Sequence, residues 1–141
     1  MIRVAKLEDG KDISKLLTQL GYPDSEVFII ENMEKLLTDP NAELLVYENE
    51  ERLVACISLH YIPQLGMKRD IALINYLVVD SSIRSKGIGK ELEEYATASA
   101  RERGCGIIQV HCHSRRIDAH KFYERQGFKE TPKYFSKMLN N

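Results

Sequence analysis

The sequence predicts a single α/β domain built on a mixed sheet, and three observations carry that prediction. The near-continuous apolar run Ile71–Val79 suits a strand buried on both faces at the centre of a sheet. Helix-period and strand-period segments follow one another in the order β-α-α-β-β-β-α-β-α-β-β. No repeat, low-complexity tract or linker interrupts the 141 residues, a length that fits one domain with a substantial core.

The elements follow in order. Residues 2–5 alternate and read as a short edge strand. Asp9 is placed to cap a helix whose apolar face is Ile13, Leu16, Leu17 and Leu20, and Gly21 ends it. After Tyr22-Pro23 a second helix is expected from Asp24 or Ser25. Val27, Ile30, Met33, Leu36 and Leu37 should face inward, with Asp39-Pro40-Asn41 as the stop. Residues 42–48 and 52–61 read as strands joined by a tight turn at Asn49-Glu50-Glu51. A loop over 63–68 leads into the central strand. Beyond it, Ile88, Leu92, Tyr95, Ala96 and Ser99 mark one face of a long helix, with Gly104 as its left-handed cap. Residues 107–113 read as a strand. Residues 116–126 read as a helix burying Ala119, Phe122 and Tyr123 and stopped at Gly127, and 128–130 and 134–139 as closing strands.

Net charge is −1, but it is unevenly spread. Residues 1–80 hold 8 Lys/Arg and 14 Asp/Glu, a net −6, whereas residues 81–141 hold 12 and 7, a net +5. That asymmetry suits a polyanion on the second half and a cationic group on the first, although chance placement on solvated faces gives the same count. No basic stripe with interleaved aromatics favours nucleic acid. No apolar run approaches a membrane span, and the first residues lack the apolar core of a signal peptide. Cys56, Cys105 and Cys112 are an odd number without Cys-x-x-Cys spacing, which points to a reducing, cytoplasmic setting.

After the central strand the chain runs Asp80-Ser81-Ser82-Ile83-Arg84-Ser85-Lys86-Gly87-Ile88-Gly89-Lys90. A helix start offers N–H groups with no intrahelical partner and the positive end of the dipole. Gly87 and Gly89 bring no side chain to hold a phosphate away, and Arg84, Lys86 and Lys90 add positive charge. The turn therefore reads as a pyrophosphate cradle, with an ordinary strand-to-helix turn as the alternative. It is neither a P-loop nor a dinucleotide fingerprint, for it lacks the spacer and the Ser/Thr of the first and the third glycine of the second.

Two stretches together resemble the GNAT superfamily of acyl-CoA-dependent N-acetyltransferases. Arg84-Ser85-Lys86-Gly87-Ile88-Gly89 after Leu77-Val78-Val79-Asp80 is similar to the family's acetyl-CoA motif. Ala119-His120-Lys121-Phe122-Tyr123-Glu124-Arg125-Gln126-Gly127-Phe128 is similar to its Ala-x-x-Phe-Tyr-x-x-x-Gly-Phe segment. The match covers residues 71–139. It implies one N-acetyltransferase domain over 1–141, with a mostly antiparallel sheet of six to seven strands, four flanking helices, and fourth and fifth strands splayed after Val79. It also implies that acetyl-CoA is the co-substrate, held at its pyrophosphate by the 84–90 turn and along its pantetheine arm by the backbone of Leu77, Val78 and Val79. A strand amide near Val78 or Val79 would then polarise the thioester carbonyl.

By the same resemblance Tyr123 is the general acid for the departing thiolate, against the plain reading of a half-buried helix aromatic. The base stays open. Many members carry a glutamate where this chain has Asn75, which takes no proton at neutral pH but can position water or amine. His111 and His113 are candidates on the fifth strand, with satisfied strand histidines as the alternative, and water-relayed deprotonation is a third route. A metal site from His111, Cys112, His113 and His120 fits no standard ligand spacing. Arg116 stands where the family often has asparagine, and is a candidate for a CoA phosphate or a substrate carboxylate. The acceptor is expected to be a small-molecule primary amine. Glu26, Glu31 and Glu34 would attract it if they do not simply solvate a helix. The rivals are a protein or peptide amine, a non-catalytic CoA sensor, and an ATP or NAD module. Dimers are common in the family, so a homodimer belongs to the expectations.

Overall fold

Alternation, helical period and turn chemistry resolve into five strands and four helices in a computed structural model, which describes residues 1–84, 86–111, 117–131 and 134–139. The elements are β1 (Ile2–Val4), α1 (Gly10–Leu20), α2 (Ile29–Leu37), β2 (Ala42–Asn49), β3 (Arg52–Ile62), β4 (Ile71–Val79), α3 (Ile88–Glu102), β5 (Ile107–Val110) and α4 (Ile117–Arg125). The strands lie side by side in chain order; the first three pairings are antiparallel and β4–β5 is parallel. The α/β class and the mixed, mostly antiparallel sheet stand. The strand count among the described residues is five, not six to seven, because 128–130 and 134–139 form no ladder there. Residues 1–111 and 112–141 are two separately compact units.

Both sheet faces in residues 1–111 are covered. On one, α1 and α2 bring Ile13, Leu16, Ile29 and Met33 against Leu44, Val46, Cys56 and Val78. On the other, Ala100 of α3 packs with Tyr61, Ala72 and Ile108. Each buried Leu or Ile contributes about 1.5–3 kcal/mol and an exposed ion pair only about 0–1, so these clusters hold the sheet together. Residues 53–59 of β3 are buried throughout, as the middle strand of a covered sheet must be.

Local geometry revises several expectations. Asp9 does not cap α1; its carboxylate accepts the Lys6 amide at 2.8 Å and the Arg3 guanidinium at 2.8 and 3.0 Å. Arg3, shared with Glu48 at 2.9 Å, holds the Asp9 carboxyl below its ordinary range. Asp24 takes a left-handed φ of 65°, so Ser25–Val27 is a 3-10 turn and α2 starts only at Ile29. That break shifts the helical phase: Ile29 and Met33 are buried, while Val27 and Ile30 are 83% and 42% exposed. In α3 the buried stripe is Ile88, Leu92, Glu93, Ala96 and Ala100; Tyr95 turns outward. Gly104 has φ +80° beyond that helix, as its capping role requires. The turn after β2 is two residues long, with Glu50 and Glu51 both at positive φ.

In the second unit, α4 is followed by Gly127, whose φ is +92°, and the Phe128 amide donates back to the Tyr123 carbonyl at 3.0 Å. Tyr123 is the buried residue of that helix, with Phe122 and Phe128 ring centroids 5.1 and 5.4 Å away, edge to face.

Candidate functional site

The site begins where β4 loses a neighbour. Ile71, Ala72, Leu73 and Ile74 pair with β5 at Ile107, Ile108, Gln109 and Val110, and the ladder stops there. On its other edge β4 stays paired with β3 through Val79. Among the described residues, β4 has no β5 partner beyond Ile74, and β5 itself ends at Val110. The β3 register shifts at the same level. Leu59 pairs with Ile74 and Ser58 with Tyr76, so Asn75 is an extra residue, a bulge that bends its strand and strengthens the local twist.

Backbone direction follows from the register. The Asp80 amide donates to the Val54 carbonyl at 2.8 Å, and in an antiparallel ladder alternate residues bond to the same partner. Val78 and Tyr76 therefore spend their backbone groups on β3, and Leu77 and Val79 turn theirs toward the side β5 has left. Of the three strand residues expected to bind a ligand arm, Leu77 and Val79 turn their backbone groups outward in this register, whereas Val78 faces β3 and has its side chain in the core. The outward carbonyl of Val79 accepts the Arg84 Nε at 3.3 Å.

The turn that follows is tied down. Asp80 accepts the Ser82 amide at 3.0 Å and the Arg52 guanidinium at 2.6 Å, and the Ser81 amide donates to Gln19 of α1 at 2.9 Å. The Ser82 amide, then Arg52, hold the Asp80 carboxyl down at about 2. Gly87 sits at φ +82°, open to solvent, with nothing within 4 Å of where a Cβ would stand. Gly87 at the N-cap offers no side chain to the helix, and by helix geometry the amides of residues 88–90 have no intrahelical partner. Arg84, Lys86 and Lys90 are exposed around it, while Ile88 is buried and anchors the helix. Ser85 lies outside the described residues. This arrangement, a left-handed glycine before an uncapped helix ringed by cations, suits a bound phosphate.

Asn75 and His111 each stand one residue beyond the last ladder pair, Ile74 and Val110, and both are exposed. Two of the three catalytic candidates thus stand on neighbouring strands, Asn75 in the middle of β4 and His111 just past the end of β5. Tyr123 belongs to the second unit. Cys112, His113 and Arg116 lie outside the described residues.

Sequence reasoning missed Tyr22 and Tyr76 beside the bulge, and Glu93 on α3. Glu93 is 4% exposed on α3, accepts the Thr97 hydroxyl at 2.8 Å, and has its carboxyl pushed up by burial. Tyr76 follows the bulge on the α1–α2 face and meets Tyr22 edge to face at 5.3 Å. Only the single polar letter at position 75 within an apolar run hinted at the bulge. Elsewhere, Cys56 is fully enclosed and its thiol is pushed up to about 12, which removes it as a nucleophile. No described helix is long and apolar enough to cross a membrane.

Comparison with known proteins agrees with this geometry. The model of the acetyltransferase (GNAT) family matches residues 9–128. An aminoalkylphosphonate N-acetyltransferase of Salmonella typhimurium is 31% identical over 140 residues, 98% of this chain and 90% of that protein. The crystal structure of a transcriptional regulator from Bacillus halodurans superposes with a TM-score of 0.90 at 28% identity, covering 99% of both chains. A glucosamine-6-phosphate N-acetyltransferase from Arabidopsis thaliana shares the fold, with a TM-score of 0.86 at 22% identity over 99% of this chain and 98% of that one.

Proposed function

Because the chain belongs to the GNAT family of acetyltransferases, we propose that it moves an acetyl group from acetyl-CoA to a primary amine of a small molecule, by direct attack on the thioester. The observation that carries this is the half-unpaired β4, which ends beside the uncapped start of α3. The whole span 1–141 is taken as one transferase domain, since the family match bridges both compact units.

Each residue then has a task. The α3 amides and Arg84, Lys86 and Lys90 bind the diphosphate. The outward backbone groups of Leu77 and the Val79 carbonyl bind the pantetheine arm as a strand would, which leaves the Val79 amide free for the thioester. The Val79 amide is the better oxyanion donor of the pair named from sequence, since the Val78 amide is turned to β3. The amine nitrogen forms its bond to the acetyl carbon, the carbon–sulfur bond breaks, and Tyr123 gives the departing sulfur its proton. An alkylammonium of pKa ~10 must first lose a proton, and Asn75 and His111 stand where a water carrying it away would be held.

The 31% identical relative acts on aminoalkylphosphonates by its name, so amines bearing an anionic group join aliphatic amines in the first panel. The test is an acceptor screen that follows CoA release and weighs the product by mass spectrometry. A gain of one acetyl group on an amine supports the reading. Tight acetyl-CoA binding without turnover on any amine would replace it with a CoA sensor. Tighter binding of ATP than of acetyl-CoA in calorimetry would replace it with a nucleotide module.

A further inference from the structure

We infer that Tyr22 and Tyr76 form the wall against which the acceptor amine is held, with an aliphatic primary ammonium as the class it takes; this rests on the transfer reaction proposed above. The acetyl carbon is placed along β4 beyond Ile74, where the described residues leave the outward backbone groups without a β5 partner. The first turn of α3 occupies the phosphate side of that edge, and α3 covers one face of the sheet. On the other face, packed by α1 and α2, the half-exposed rings of Tyr22 and Tyr76 leave a surface open to an acceptor.

The bulge determines what that face presents at this level. Before it, Ala72 and Ile74 pair with Tyr61 and Leu59, whose face is covered by α3. After it, Tyr76 and Val78 pair with Ser58 and Cys56, and Cys56 and Val78 belong to the α1–α2 cluster. The extra residue thus puts an aromatic ring on the acceptor face directly beyond the last β4–β5 pair. Gln19, bonded to the Ser81 amide, holds the last turn of α1 against the end of β4 and brings Tyr22 to the same place. The two rings meet at 5.3 Å and 80° and stay 52% and 38% exposed.

Such a pair fixes its own geometry, since an edge-to-face contact positions each ring by the other. It leaves a π surface in water beside the reacting edge, which attracts an ammonium ion. The net −6 of residues 1–80 favours a cation on the same side. The wall binds the charged amine and its alkyl stem, and the fraction that loses a proton is already aimed at β4.

Kinetics with the best acceptor from the screen test this. Tyr22→Ala and Tyr76→Ala should each raise the amine KM about three- to thirtyfold, with the acetyl-CoA KM unchanged. Tyr76→Phe should stay within about twofold, because the ring face and not the hydroxyl does the binding. The chain has no tryptophan, so Tyr22→Trp supplies a single reporter whose emission should shift on adding amine to the CoA-bound protein. Tyr22→Ala and this reporter carry the test if Tyr76→Ala does not fold. An unmoved amine KM in folded alanine variants, an equal rise in the acetyl-CoA KM, or a silent reporter overturns the assignment while the enzyme stands. A wild-type protein that acetylates no amine removes the reaction itself, and the wall with it.

Discussion

The first four residues of β4 and the last four live in different surroundings. Ile71, Ala72, Leu73 and Ile74 are paired on both edges; among the described residues Tyr76, Leu77, Val78 and Val79 pair with β3 alone, with Asn75 as the bulged residue between them. One half is a beam and the other is the edge proposed to dock the cofactor, within a single apolar run. What separates them is one extra residue, which suggests that a strand can be turned to binding without weakening the sheet that carries it.

Mutations should divide along the same line. Ile74 is fully buried in the doubly paired half. Ile74→Ala should cost about 2–5 kcal/mol of stability in denaturant titrations and move acetyl-CoA affinity little in protein that remains folded. Gly89, in the first turn of α3 beside the open half, should behave in the opposite way. A carboxylate there suits the helix dipole, so Gly89→Glu should fold normally. It should weaken acetyl-CoA at least about a hundredfold in calorimetry, by repelling the diphosphate. Equal effects of both variants on stability and binding would erase the distinction between the halves.

Chemistry comes next in size. Tyr123→Phe keeps the ring packed against Phe122 and Phe128 and removes only the hydroxyl. Turnover should fall about ten- to a hundredfold with acetyl-CoA affinity unchanged, the pattern of a lost proton donor. Unchanged turnover would take Tyr123 out of the mechanism and leave it a packing residue.

The beam was legible in the sequence, and the docking edge only in part. Periodicity marked α1, and the apolar run marked β4, because both are written in local side-chain order. Gly87 was legible as well, since a glycine before a helix start states its backbone freedom in its own letter. The phase of α2 was not, because it depends on Asp24 entering the left-handed region, which asparagine or glycine would have signalled better. The buried stripe of α3 was misjudged for a related reason. Ranking by hydrophobicity puts Tyr95 inside and Glu93 outside, whereas the geometry of the helix against the sheet selects Glu93. The meeting of Tyr22 with Tyr76 joins residues 54 positions apart through a bulge that no glycine or proline announces.

Glu93 offers the finest test, because it places a proton-binding group on the helix whose start forms the cradle. Burial raises its carboxyl above the ordinary 4.5, so the folded chain holds this proton more tightly than the unfolded one. Its contribution is therefore fully present below about pH 4.5 and is lost as pH rises through the folded value. Above that value the wild-type protein carries a desolvated charge. Glu93→Gln removes that charge while its amide oxygen still accepts the Thr97 hydroxyl, bonded at 2.8 Å in the wild type. The variant should melt about 2–4 °C higher at pH 7 and lose that advantage near pH 4. A gain of the same size at both pH values would trace the effect to packing, and no gain at pH 7 would mean that the carboxylate has a compensating partner. Because the effect is confined to α3, the cradle at its start should bind acetyl-CoA equally well in both proteins at pH 7, which separates helix stability from ligand affinity within one element.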